Sequence, residues 1–343
     1  MYKSRFLEFL MFLAFFFFAS HVSAEPYKIL FGSCLHQDKP LNILDQIYSE
    51  KPDAFIFLGD NVYGDTEAET MDALKQAYAT ADKFLNRERL GEIHAIWDDH
   101  DYGRNDGGGD YPLKKQSEAL FLDFWKVPIN DVRRQRDGIY YSTMTQIGDV
   151  TLQMIFLDTR FFRSQLKKYP INFLSRFSQY LQTQDTQDIE ATLLGKEQWI
   201  WLYKQLAKSA DIRIIASSIQ VLASNHRWEK WSNFPAERQE LLSAIKNRNG
   251  GDILLISGDR HFSALYEMPG ASINSENSLL EFTSSSLNNN WKGAKETDAL
   301  MVEEPFGRLG SYGKITLYPK NRALQIDLVD ENGNTIYYQN RQF

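Results

Sequence analysis

The chain of 343 residues contains a single cysteine, which excludes an intrachain disulfide framework. Positive charge is also short: 38 Lys and Arg against 45 Asp and Glu leave a formal charge of -7. That balance argues against a general nucleic-acid binder, because phosphate backbones attract basic surfaces. It leaves room for a phosphate-binding enzyme whose bound cations reverse the local field. Between Glu25 and Phe343 there is no long Pro/Gly/Ser linker, no heptad array and no internal repeat. Nor does that stretch hold an apolar run long enough to cross a membrane.

The one strongly apolar segment stands at the start, MYKSRFLEFLMFLAFFFFASHVSA. Lys3 and Arg5 precede an unbroken apolar run from Leu10 to Ala19, and Val22-Ser23-Ala24 supplies small residues at a cleavage position. These parts predict a secretory signal peptide over residues 1–24, with an uncleaved anchor as the alternative. The expectation is one domain over 25–343, exported to the periplasm or secreted, with no stable membrane anchor after cleavage. No twin arginine is present, so export of an unfolded chain is expected, with metal acquired outside the cytoplasm. Nothing in the sequence speaks to oligomeric state.

Aromatic residues make up 14% of the chain, enough to build a substantial core. Short apolar runs recur, and each stops abruptly in Asp, His, Ser or Gly. Tyr27–Phe31 runs into Gly32-Ser33-Cys34, Ala54–Leu58 into Gly59-Asp60-Asn61, and Ile93–Trp97 into Asp98-Asp99-His100-Asp101. Leu152–Leu157 precedes Asp158-Thr159-Arg160, Ile212–Ala216 precedes Ser217-Ser218, and Ile253–Ile256 precedes Ser257 to His261. Leu279–Phe282 ends in Thr283 to Ser286. Continuous runs of this length suit strands buried on both faces. Amphipathic helical patterns lie between them, at Leu41–Tyr48, Met71–Leu85, Ser117–Trp125, Trp199–Ala207 and Ala236–Ile245. The alternation predicts a layered α/β architecture with ligands gathered at the carboxyl ends of the strands. Gly313–Tyr318, Ala323–Val329 and Thr335–Gln339, with an Asn332-Gly333 turn signal, predict a C-terminal antiparallel meander. The polar stretch Thr183–Thr192 reads as the least ordered, and the segment around Ser164–Gly195 could cover a pocket.

Three clusters carry candidate chemistry. In "FLGDNVYGD", Asp60 sits just past a strand and Tyr63 follows three residues later. A carboxylate there can bridge two cations, and a phenolate needs a strongly Lewis-acidic partner such as ferric iron, since a free phenol has a pKa of about 10. The plain alternatives are a capping aspartate and a core tyrosine. "AIWDDHDYGRND" packs three carboxylates and His100 into four consecutive residues; such crowding repels unless cations or hydrogen bonds offset it. A solvated acidic loop is the competing reading. In "LLISGDRHFSAL", Asp259 and His261 follow a buried-looking strand and can converge on neighbouring metal ions. For Cys34 alone, burial as a small hydrophobe, intermolecular pairing, nucleophile and metal ligand all stay open.

Taken together, FGSC, FLGDNVYGD, WDDHDYGRND, FLDTRFFR, LGKEQWIWL, ASSIQV, WSNFPAER, SGDRHFSAL and FTSSSLN resemble the PhoD-like branch of the calcineurin-like metallophosphoesterases. The resemblance spans nearly all of the chain after the leader. It implies a β-sandwich flanked by helices and a multinuclear site of ferric iron with calcium or another divalent ion at the second position. By that resemblance Cys34 is an iron-bound thiolate, Asp60 the bridging carboxylate, Tyr63 the phenolate ligand, and His261 the last protein ligand of iron. Asp99 and Asp259 stand where the wider superfamily carries softer ligands, a change to hard oxygen that suits calcium. The first such strand begins directly after the leader, so the extra N-terminal β-domain of longer members is not expected.

The implied function is exported, metal-dependent hydrolysis of small phosphate esters, an alkaline phosphatase of the PhoD type. His100 is the candidate to protonate the leaving alkoxide or contact phosphate. Arg160 is the candidate for a bidentate phosphate contact, with an ion pair to Asp158 or another carboxylate as its alternative. Asn288 is a further ligand candidate, and Trp228 and Trp231 either line the pocket or pack. The competing readings are a phosphodiesterase or phospholipase-D-like activity on the same site, a cysteine hydrolase built on Cys34, and a non-catalytic extracellular binding protein.

Overall fold

A computed structural model describes residues 25–66, 70–168, 180 and 190–343. The expected signal peptide and most of the 183–192 stretch therefore lie outside the described residues. In chain order come β1 (Tyr27–Gly32), α1 (Asn42–Ser49), β2 (Ala54–Leu58), α2 (Asp72–Phe84), β3 (Glu92–Ile96), α3 (Asp99–Tyr102) and α4 (Lys114–Phe124). These are followed by β4 (Tyr141–Ile147), β5 (Val150–Phe156), α5 (Gly195–Leu206), β6 (Ile212–Ser217), α6 (Pro235–Lys246) and β7 (Asp252–Ser257). The chain ends through β8 (Ser263–Met268), β9 (Leu279–Ser284), β10 (Ser311–Tyr318), β11 (Ala323–Asp330) and β12 (Thr335–Gln342). Among the described residues no helix is long and apolar enough to cross a membrane.

The strands form two six-stranded sheets, ordered β12-β11-β10-β1-β2-β3 and β4-β5-β6-β7-β9-β8. In the first, β1, β2 and β3 are parallel; in the second, β5, β6, β7 and β9 are parallel. The expected C-terminal meander is present, and it extends the first sheet by pairing β10 antiparallel to β1. β4 and β8 lack a continuous apolar run and escaped the sequence reading. Both are antiparallel edge strands, β4 with a mostly half-exposed face.

The apolar runs divide by the period of two that a strand imposes. Ile212, Ile214, Leu254 and Ile256 point into the core between the sheets, which also takes Phe31, Phe55, Phe57 and Ile315. Ile215, Ile253 and Leu255 point the other way, against Trp199 and Leu202 of α5 and Leu241 and Ile245 of α6. Strands covered on both faces have few polar positions until they end, and those within, such as Gln153, Arg213 and Glu281, are buried. The polar clusters accordingly begin where the sheet hydrogen bonding stops.

Two features of this core generate tests. Phe31 lies opposite Gly313 in the β1–β10 register, and a Cβ on Gly313 would stand 2.0 Å from the Phe31 ring. Gly313→Ala should therefore lower stability by about 1–3 kcal/mol through overpacking, read as a shifted urea midpoint and partly restored by adding Phe31→Leu. His94 of β3 bridges the sheets, its ring stacked on Phe156 at 4.9 Å and its Nδ1 3.2 Å from the Tyr141 hydroxyl. Burial, reinforced by Arg133, pulls its pKa from 6.5 to about 4. The neutral ring's contribution is thus fully present above pH 6.5 and is lost as pH falls toward 4, on the order of 3 kcal/mol in total. His94→Phe should flatten the fall in unfolding free energy across that window; an unchanged slope would assign the acid sensitivity elsewhere.

Candidate metal centre

The carboxyl ends of β1, β2, β3 and β7 bring the sequence clusters to one place. Cys34, Asp60, Asp259 and His261 all adopt left-handed backbone, with φ of 58°, 52°, 70° and 58°. Each such non-glycine position costs of order 1 kcal/mol and persists only where the surroundings over-determine it. Here they do. Cys34 donates its backbone N–H to the Gly59 carbonyl and Leu35 to that of Asp60, at 3.3 and 2.9 Å. The N–H groups of Asn288 and Asn289 reach the Cys34 carbonyl, and the His261 N–H donates to Ser285 Oγ at 2.8 Å. Gly59, itself at φ 101°, lets β2 leave its strand against Asp98, where an added Cβ would stand 2.6 Å from the Asp98 Cβ.

Asp60 is the hub. Its Oδ2 lies 3.4 Å from Cys34 Sγ and 3.3 Å from the Tyr63 hydroxyl, and its Oδ1 accepts the His100 N–H at 3.3 Å. Two sets of donor atoms each gather within 4.8 Å: Cys34, Asp60 and His261, and Asp60, Asp99 and His100. Asp60 belongs to both. Tyr63 is fixed between aromatic rings, with His36 at 4.6 Å on one side and His100 at 4.3 Å on the other. Asp259 belongs to neither set but lines the same cavity of about 440 Å³, with Asp60, Asp99, His100 and His261.

The charge state of this cluster is that of a site built for cations. Burial, then repulsion from Asp99, Asp98 and Asp101, pushes the Asp60 carboxyl far up, with His100 opposing. Burial and Asp99 do the same to Asp259 against Arg260. Cys34 and Tyr63 are pushed up by burial and by Asp60. Burial lowers His261 to about 4, and its Nδ1 faces the Asn289 carbonyl. The neutral ring thus donates at Nδ1 and keeps the Nε2 lone pair for a ligand bond. Asp99 Oδ2 accepts the Asp106 N–H at 2.8 Å, while its buried Oδ1 has no partner. Acidic donors packed at this density, one oxygen orphaned, fit metal ions: a cation offsets the burial cost and holds thiolate and carboxylate in their charged forms.

Two nearby aspartates are engaged mainly by the protein itself, although Asp98 Oδ2 has no hydrogen-bond partner among the described residues. Asp101 caps the short α3, accepting the N–H groups of Asp98, Asp60 and Asn61 at 2.6, 3.2 and 3.3 Å, while burial lifts its pKa to about 7. Asp98 accepts from Arg160 Nε and from Ser218 Oγ, both at 2.6 Å. This corrects the expectation for Arg160. Its side chain is fully buried, spans Asp98 and Glu229, and does not line the cavity, so the ion-pair alternative describes it. The guanidinium that does line the cavity is that of Arg260, bound to Glu296. Asn288 ties down the loop through His36 and Pro40, and Trp231 is buried with its Nε1 on Ser217; Trp228 lines the cavity.

Comparison with known proteins follows the same lines. A family model described as "PhoD-like phosphatase" matches residues 92–337. The chain belongs to the PhoD-like phosphatase family. Alkaline phosphatase D of Bacillus subtilis (strain 168) is 23% identical over 318 residues, covering 82% of this chain and 52% of that protein. The chain thus spans about half the length of the curated relative it matches. Among solved structures, "Structure of PhoD" superposes with a TM-score of 0.66 at 17% identity, covering 91% of this chain and 72% of that one. GAP50, described as the anchor in the inner membrane complex of Plasmodium, superposes with a TM-score of 0.58 at 14% identity, covering 93% and 89%. At these identities the two structures attest the fold, which this PhoD-like chain shares.

Sequence reasoning missed Asp65 as a site residue. Its Oδ1 lies 2.6 Å from His100 Nδ1, and the only signal was its place at the end of the quoted FLGDNVYGD stretch. Glu229 and Trp291 also reach the cavity from loops with no cluster of chemistry-bearing residues around them, and Arg260 reaches it from within the quoted SGDRHFSAL stretch. Cys34→Ser should lower bound metal measured by elemental analysis of the folded protein. Full metal content in that variant would remove the thiol from the donor set.

Proposed function

We propose that the chain is an exported metallophosphatase domain, residues 25–343 following a cleaved leader, that hydrolyses small phosphate esters. The observation that carries the reading is Asp60, shared by two donor sets on the floor of one cavity. Cys34, Asp60, Tyr63 and His261 would hold ferric iron, and Asp60, Asp99 and Asp259 a second, harder ion such as calcium. When bound, the ions supply Lewis acidity that lowers the pKa of water and offsets charge on the transferring phosphoryl group.

The chain's own groups then have definite tasks. His100 is oriented by Asp65 at its Nδ1, which leaves Nε2 to carry the proton for the leaving alkoxide. In the hydrolysis the water oxygen bonds to phosphorus and the ester P–O bond breaks. The alkoxide takes the proton of His100, and a proton from the water restores it. Asp98 and Arg160 keep the floor rigid without lining the cavity, and Glu229, which does line it, is held by Arg160 and Arg163. The cysteine-hydrolase alternative is not favoured, since Cys34 is fully buried and does not line the cavity, and burial raises its pKa.

The test is hydrolysis of a chromogenic phosphate monoester and diester by protein of known metal content, with and without chelator. Chelation should abolish turnover, and His100→Ala should lower kcat by about 10²–10⁴-fold with metal content unchanged. Turnover in metal-free protein would overturn the reading, and a preference for the diester would make the activity that of a phosphodiesterase.

A further inference from the structure

The cavity above the donor cluster does not end there. Trp228 and Trp291 line it, and the same two indoles line an adjoining cavity of about 330 Å³ whose other walls include His226, Arg227, Lys295 and Glu296. Both tryptophans are tied to the donor loop. The Trp291 backbone N–H donates to the His261 carbonyl at 2.7 Å. Arg260, between Asp259 and His261, sets its guanidinium carbon 5.8 Å from the centre of the Trp228 ring. Trp291 is 42% exposed, a large aromatic surface held at a cavity mouth by its backbone instead of being packed away.

The charge of the second cavity is equally specific. Glu296 is engaged by Arg260, and burial holds His226 neutral by lowering its pKa. Arg227 and Lys295 have no carboxylate partner among the described residues, so this chamber is net positive beside an acidic one. Flat aromatic walls with unpaired donors match a planar ring system that carries hydrogen-bond acceptors.

We propose that this second cavity is the leaving-group subsite, and that it selects phosphate esters whose leaving group bears an aromatic base, as nucleoside phosphates do. The proposal rests on the phosphoesterase reading above. With phosphate over the donor cluster, the ester oxygen opens toward the two tryptophans, and a base beyond it stacks on an indole while its acceptors meet Arg227 and Lys295. Stacking of one base on an aromatic side chain is worth about 1–3 kcal/mol, which is roughly thirtyfold in affinity near its middle and about tenfold toward its lower end.

Adenosine 5′-monophosphate and ribose 5-phosphate share the same primary alkoxide and differ by the base, so their kcat/KM ratio isolates the subsite. With the metal-loaded protein the ratio should be about tenfold or more. It should fall to about twofold in Trp291→Ala and stay near the parent value in Trp291→Phe, which keeps an aromatic face. Independently, adenosine 5′-monophosphate should quench intrinsic tryptophan fluorescence where ribose 5-phosphate does not, and less so in Trp291→Ala. Hydrolysis of both esters at equal kcat/KM would overturn the subsite and leave the phosphoesterase reading standing. No hydrolysis of these or a chromogenic ester, with selective quenching retained, would overturn that reading and uphold the subsite as a binding site. Neither hydrolysis nor quenching would overturn both.

Discussion

Everything at the open end of this fold depends on the cost of burying like charges. Asp60, Asp98, Asp99 and Asp101 are buried or nearly so, with Asp259 beside them. Carboxylates so close cannot all stay ionised in a low-dielectric setting without compensation. The protein compensates two of them internally. Backbone N–H groups surround Asp101, and the Arg160 guanidinium covers Asp98. Asp60, Asp99 and Asp259 are left facing a cavity, and the only thiol of the chain lies buried 3.4 Å from Asp60. The division separates the aspartates that shape the site from those that face its cavity.

Holding that arrangement requires strain, and the two sheets supply the means. Four donor residues take left-handed backbone; Cys34, Asp60 and His261 are locked by hydrogen bonds from a neighbouring strand end or from the loop after β9. Strands covered on both faces are rigid along their length, so their ends are fixed points from which short turns can aim side chains. Rigid floor and strained turns together pre-position donors that would otherwise repel each other.

The apolar runs of β1, β2, β3, β5, β6, β7 and β9 were legible because burial on both faces leaves few polar residues until the strand stops. The edge strands β4 and β8 were not, since an edge needs neither continuous apolarity nor strict alternation. The donor residues Cys34, Asp60, Asp99 and His261 were legible as dense chemistry at run ends, and the structure brings them together. Arg160 shows the limit of that logic. Its place after a strand suggested a phosphate clamp, but the position only put it near the site. Its reach was decided by Asp98 and Glu229, which lie 62 and 69 residues away in sequence.

Local chemistry and periodicity in the sequence by themselves determined the strand–helix alternation, the C-terminal meander and the positions from which ligands could come. These follow from short-range physics: side-chain alternation, turn propensity and the repulsion of adjacent carboxylates. Which carboxylates the protein neutralises, which arginine reaches the cavity, and that Trp228 and Trp291 stand between two chambers were decided by tertiary structure alone. Those facts depend on distances between strand ends that meet only when the two sheets pack, and no local pattern encodes a distance across a core.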